Sequence, residues 1–183
     1  MSSRQEILSK YRNSVKKRYD MPSLEGIAPI TWENPEEQFK KALELAGGRA
    51  LDVPEGADLD AVVRELFPDA KSIAYDLEKI EGIDVGIVKG MFGVAENACV
   101  WVPQTMKEKA VCFICEHLVI ELERSSIVNN MHEAYDRISE LGDAAFGTYG
   151  FGTFISGPSK TADIAQVLVM GAQAARSVTV LLV

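Results

Sequence analysis

No run of ~18 apolar residues long enough to cross a membrane occurs in this chain, and its first twenty residues are charged, without the apolar core of a secretory leader. A protein with no stable membrane insertion is therefore expected, with the cytoplasm as its compartment. Basic charge is in deficit: 19 Lys and Arg face 27 Asp and Glu, a net charge of −8. Binding to a phosphate backbone needs a basic surface, so nucleic acid is not expected as a partner. Cysteine is scarce. Cys99, Cys112 and Cys115 are an odd number in a chain without a secretion signal, which argues against a disulfide framework. Histidine is scarcer, with His117 and His132 alone, and no nucleophile–base–acid set or metal-ligand set assembles from spacing. Neither a Gly-x-Gly-x-x-Gly turn after a strand nor a Walker loop is present, and no internal repeat is visible.

What is present is a chain of 183 residues, 47% hydrophobic, long enough for one substantial core. The charge is uneven. Six basic side chains against two acidic ones give residues 1–20 a net +4, leaving −12 for the rest. A helix over residues 2–18, with Ile7, Leu8, Tyr11 and Val15 as its apolar stripe, is expected to pack on the acidic body; docking on an acidic partner and touching a membrane surface are the other readings. Two prolines mark residues 21–31 as an irregular linker, so residues 1–34 read as helix and linker and residues 35–183 as one α/β domain.

Asn34 as N-cap and Pro35 at the first helical position start a helix that runs to about Ala46 and stops at Gly47-Gly48. Asp58 caps a second helix through Leu66, and residues 131–141 carry a third. Strands are expected at 49–53, 71–75, 85–88, 98–102, 111–115 and 118–122, the last two separated by a kink at Glu116-His117. The chain should end as strand 151–156, helix 162–170, a stop at Gly171, and strand 178–183, a β-α-β unit with parallel pairing. This alternation, closing on an apolar strand, points to a three-layer α/β domain with a mostly parallel sheet and some antiparallel hairpins. Cys112-Phe113-Ile114-Cys115 has redox spacing, but in a strand interior its thiols are read as buried and structural.

Three places could carry chemistry. In Ser156-Gly157-Pro158-Ser159-Lys160-Thr161-Ala162-Asp163, Gly157 permits a tight turn, Pro158 fixes the next φ, and Thr161 is read as the N-cap of a helix with Asp163 in its first turn. Ser159, Lys160 and free amides there could hold a phosphate or carboxylate; a capped crossover helix with no ligand is the alternative. In Gly93-Val94-Ala95-Glu96-Asn97-Ala98, Glu96 could act as a general base and Asn97 as a hydrogen-bond donor, or Asn97 could satisfy a turn. His117 follows Glu116 at a strand edge, whereas His132, beside Glu133 and Asp136, reads as a solvated face.

Taken together, Gly93-Val94-Ala95-Glu96-Asn97-Ala98, the strand around Glu116-His117-Leu118-Val119, and the string from Ser156 to Ile164 resemble the LUD domain, and more narrowly the LutC/YkgG-like branch of the bacterial lactate-utilization proteins. The resemblance spans roughly residues 35–183. It implies a fold like that of the CoA-transferase, ribose-5-phosphate isomerase and glucosamine-6-phosphate deaminase group. It also implies a role in oxidising L-lactate to pyruvate beside two partner subunits that carry iron–sulfur clusters, with no cofactor in this chain. One departure stands out: where the family typically has Gly-x-His-Gly-Pro, this chain has Gly171-Ala172-Gln173-Ala174-Ala175. The expectation is thus a component of a 2-hydroxy-acid oxidising system. The turn amides with Ser156, Gly157, Ser159, Lys160, Thr161 and Asp163 would hold a small carboxylate, Asn97 would assist, and Glu96 or His117 would manage the hydroxyl proton. The alternatives are a non-catalytic assembly module, and a stand-alone enzyme on sugar phosphates or CoA esters. A homo-oligomer is open in each case.

Overall fold

The computed structural model describes residues 3–15, 17, 19–20, 22–23, 26, 28–74, 82–108, 110–161, 167–172 and 174–183. It opens with helix α1 (Ser3–Ser14). Helix α2 (Pro35–Leu45) begins where the sequence signals it. Asn34 Oδ1 accepts the Glu37 amide at 3.1 Å, and Pro35 occupies the first turn, where its missing N–H costs nothing. The helix ends as the Gly47 and Gly48 amides fold back onto the Glu44 and Leu43 carbonyls. Strand β1 (Arg49–Asp52) leads to helix α3 (Leu59–Leu66), capped by Asp58, and then to β2 (Ile73–Ala74) and β3 (Val85–Lys89). The short β4 (Phe92–Gly93) and β5 (Val100–Pro103) form a hairpin. After it come α4 (Val111–Ile114), β6 (His117–Leu122) and α5 (Met131–Leu141). The chain closes with β7 (Gly152–Ile155), β8 (Lys160–Thr161), β9 (Val169–Met170) and β10 (Ser177–Leu182).

The main sheet has five parallel strands in the order β1-β10-β6-β3-β2. Chain travel reverses after β2, so right-handed crossovers put α3 on one face and everything between β3 and β10 on the other. The two cores agree. Val63 of α3 packs on Val85, Ile87, Val119 and Leu181, whereas Phe39 and Leu43 of α2 and Val111 of α4 pack on Leu118, Ile120, Leu122 and Val180. The architecture is therefore the three-layer α/β fold expected. On the α2 side, β4-β5-β7 form a separate antiparallel sheet with its own aromatic core.

Several expectations are corrected. Residues 111–115 are not a strand: Val111–Ile114 form one helical turn. A short apolar run carries no period that separates a strand from a buried helix, and here the connection from β5 to β6 needs a turn. The final unit is not β-α-β either. β7 pairs antiparallel with β5, and β10 lies between β1 and β6. Thr161 is not a helix N-cap, because Lys160–Thr161 pair antiparallel with Val169–Met170. Residues 167–170 are likewise not helical, while 162–166, with Asp163, fall outside the described residues, as does Gln173. Helix α1 buries none of its residues, so the expected packing of its stripe on the body is not observed.

At the carboxyl ends of the strands an ion-pair network ties α2, β1 and β10 together. Arg124 Nη1 reaches Asp52 at 2.9 Å and Nη2 the Leu182 carbonyl at 3.0 Å, while Lys40 Nζ bridges Asp52 at 2.7 Å and Glu36 at 2.6 Å. The Lys40 hydrogen bond, helped by Arg124, holds the Asp52 carboxyl below its ordinary value. A lowered folded-state pKa adds stability that is complete above the unfolded pKa and is lost as pH falls through the folded one. Asp52→Asn is therefore expected to flatten the loss of stability below about pH 4. The cost at neutral pH should be within about 1 kcal/mol, because the side chain is more than half exposed. Urea unfolding of both proteins from pH 7 down to pH 3 checks this.

Candidate functional site

The β4–β5 hairpin tip is held by its own polar atoms. Asn97 Oδ1 accepts the Cys99 amide at 3.1 Å, and Ala98 takes φ 55°, the one non-glycine with positive φ among the described residues. Glu96 points away from the tip. Its Oε2 accepts the Met131 amide at 2.9 Å, at the start of α5, where a carboxylate suits the helix dipole. Asn130 completes the cap by accepting the Glu133 amide at 3.0 Å. The residue expected as a general base is thus engaged in holding a helix end.

The Ser156 turn meets this hairpin. Ser156 Oγ donates to the Asn97 carbonyl at 2.6 Å, so two of the sequence motifs, 59 residues apart, form one junction. Gly157 adopts φ 67° and lies so close to α2 that a Cβ would stand 2.8 Å from the Ala46 carbonyl oxygen. The Ser159 amide donates to Ala175 O at 3.0 Å, and the Ser159 carbonyl accepts from Gly171 at 2.9 Å. Not all the turn amides are therefore free for a ligand. The turn nevertheless borders a cavity of about 370 Å³, with Ser156, Ser159 and Lys160 at its rim and Leu118, Phe154 and Val178 among its apolar walls. Cys99 abuts Ser156, and burial pushes its thiol up.

His117 is elsewhere. Leu118 belongs to the α2-side core, and side chains alternate along a strand, so His117 faces α3 with the sheet between it and the Ser156 turn. Its Nδ1 lies 2.7 Å from Ser177 Oγ, and its ring centroid 4.9 Å from that of Phe67. It borders a separate cavity of about 400 Å³ with Lys71 and Asp84; Asp84 Oδ2 accepts the Lys71 and Ser72 amides at 2.6 and 3.1 Å. Structure thus joins Asn97, Ser156, Gly157, Ser159 and Lys160, turns the Glu96 carboxylate to α5, and sets His117 apart. Sequence reasoning missed Ser177, Asp84 and Arg124. Ser177 becomes visible only once β6 and β10 are in register, with His117 opposite Ser177.

Cys112 and Cys115 are buried, which pushes their thiols up to about 12 and about 11. Among the described residues no group of three or more His, Cys, Asp or Glu could hold a metal ion. No described helix is long and apolar enough to cross a membrane.

The LUD domain model matches residues 76–183, more than half of the chain. This chain belongs to the LUD domain family. The match takes in the hairpin, His117 and the Ser156 turn, and leaves α1, α2 and β1 outside. Among solved structures, a DUF162 family protein from Deinococcus radiodurans superposes with a TM-score of 0.61 at 11% identity, over 84% of this LUD chain and 99% of that one. At that identity the likeness is one of fold. No curated protein matches this sequence.

Proposed function

We propose that this LUD-domain chain is a component, of the LutC/YkgG type, of a bacterial L-lactate utilization system, and that it holds the carboxylate of lactate or a related 2-hydroxy acid at the Ser156–Lys160 turn. The observation that carries the reading is the cavity beside the turn. It is lined by Ser159 and Lys160, residues whose chemistry suits an anion, and by an apolar wall including Leu118 and Phe154 that suits a short alkyl group. The association of the LUD family with lactate utilization supports the substrate class. Glu96 and His117 do not line this cavity, so this chain's part is to bind and present the acid. The electron acceptor belongs to iron–sulfur partner subunits. A second reading, a module kept for assembly, is favoured by the engagement of Glu96 and Ser156 in structural hydrogen bonds.

A tagged pull-down from the native cell, combined with lactate titration of the purified chain, tests the proposal. Two cysteine-rich partners with a brown absorbance are expected. Lys160→Ala should weaken lactate binding about tenfold, the worth of one charge-assisted contact at an exposed site. A colourless protein that elutes alone, or an affinity unchanged by Lys160→Ala, would overturn it.

A further inference from the structure

We infer that Cys112 and Cys115 are a modification site, a pair of thiols that a peroxide converts to a reversible disulfide within the chain. This does not rest on the lactate reading. Side chains three apart in a strand face opposite sides, so the strand expected at 111–115 would have kept the two sulfurs apart. The helical turn Val111–Ile114 reverses this, because positions three apart on a helix share a face. The Cα separation across the pair depends only on the backbone angles of Phe113 and Ile114. Both are helical, which sets the separation at about 5 Å, inside the range of about 4.4–6.8 Å that a disulfide spans. Cys115 stands just past the turn, yet its φ of −64° is that of a helix, and φ fixes where its Cβ goes. Its ψ of 149° only turns the chain toward β6.

Both side chains are buried in one core cluster. Gly86 of β3 leaves room for one of them: a Cβ there would stand 3.1 Å from Cys115 Sγ. Burial, and after it the nearby Cys115 sulfur, pushes the Cys112 thiol up to about 12. Little thiolate is present at neutral pH, so the pair reacts slowly and is not a catalytic dithiol. Cβ atoms three apart on a helix stand about 5–6 Å from each other, and a disulfide needs about 3.5–4.5 Å, so the turn must tighten by about 1–2 Å. Helix α4 can give that much. It is a single turn, and its last amide bond, from Cys115 to the Val111 carbonyl, is 3.4 Å long.

Cys112 also lines the cavity beside the Ser156 turn, which brings a small oxidant to its sulfur. That sulfur gives up its proton and attacks one peroxide oxygen. The O–O bond breaks, a sulfenic acid forms and one water leaves. The Cys115 sulfur, held beside it, then attacks Cys112; the S–O bond breaks, the S–S bond forms and a second water leaves. Two thiols are oxidised and one peroxide is reduced to two waters. The bond draws Cys112 toward Cys115 and so shifts one wall of the cavity.

Hydrogen peroxide applied to the folded full chain, followed by tryptic mass mapping without reductant, tests this. Far-UV circular dichroism confirms that the chain stays folded during the exposure. Cleavage after Lys109 and Arg124 leaves both cysteines in the single peptide 110–124, whereas Cys99 falls in peptide 90–107. Peptide 110–124 is expected to lose the mass of two hydrogens and to regain it with dithiothreitol. A peptide 110–124 that keeps its mass would overturn the inference. So would one that gains oxygen, or one found joined to the Cys99 peptide.

Discussion

Trp101→Ala is expected to lower the unfolding free energy by about 3–5 kcal/mol, among the largest effects of any single change in this chain. Trp101 is 6% exposed at the centre of the antiparallel sheet. Its ring lies 4.7 Å from that of Phe154 and 5.8 Å from that of Phe146, and Phe92 stacks at 6.5 Å. Its Nε1 donates to the Ala145 carbonyl at 2.7 Å, which fastens the segment after α5 to the sheet. The neighbouring strand is shaped to the indole: a Cβ on Gly152 would stand 2.2 Å from Cζ2. Alanine would empty this site and orphan a carbonyl, and the two losses add. Trp101→Phe keeps much of the packing and loses the hydrogen bond, so a cost of about 1–2 kcal/mol is expected. Urea unfolding of the three proteins decides; equal midpoints for Trp101→Ala and the parent would show that the aromatic cluster does not support the fold. The same substitution should reach the candidate site, because β7 carries the chain from Phe154 into the Ser156 turn.

Gly157→Ala is the second large effect, about 2–4 kcal/mol, for a backbone reason. At φ 67° a residue with a Cβ costs of order 1 kcal/mol. Here the added methyl would also stand 2.8 Å from Ala46 O and 3.3 Å from Ala46 C, backbone atoms at the end of α2 that cannot rotate away. Either the turn lifts off the helix or the helix end shifts, and both alter the cavity bordered by Ser159 and Lys160. Thermal unfolding should show the loss of stability, and lactate titration below the lowered midpoint should show weakened binding. An alanine variant of parental stability that binds lactate normally would mean that the turn tolerates a side chain there, contrary to the contact with α2.

The capped helices were legible because their signals are local. Asn34 and Asp58 each bond an amide two or three residues ahead, and such contacts are visible in a short window of sequence. The turn at Gly157 was legible for the same reason, since a glycine–proline pair after an apolar strand announces a reversal. The runs at 111–115 and 167–170 misled because apolar and β-branched residues fit either a strand or a helix until a neighbour is chosen. Val169–Met170 found that neighbour in Lys160–Thr161, and α4 found its place in the connection from β5 to β6. The site divided along the same line. Glu96 and Asn97 are adjacent in sequence, yet one carboxylate caps α5 while the other residue's carbonyl receives Ser156.

By itself the sequence determined the α/β class, the element boundaries that rest on caps, the glycine turn, the basic character of α1 and the family. Only the tertiary structure decided that β7 leaves the main sheet, that Glu96 holds a helix end, that His117 meets Ser177 across 60 residues, and that the sheet stands between His117 and the Ser156 turn. The physical reason is range. Caps, turns and periodicity are interactions within a few residues. Strand register and the face a side chain takes depend on partners far along the chain, and a shift of one residue would carry His117 to the opposite side.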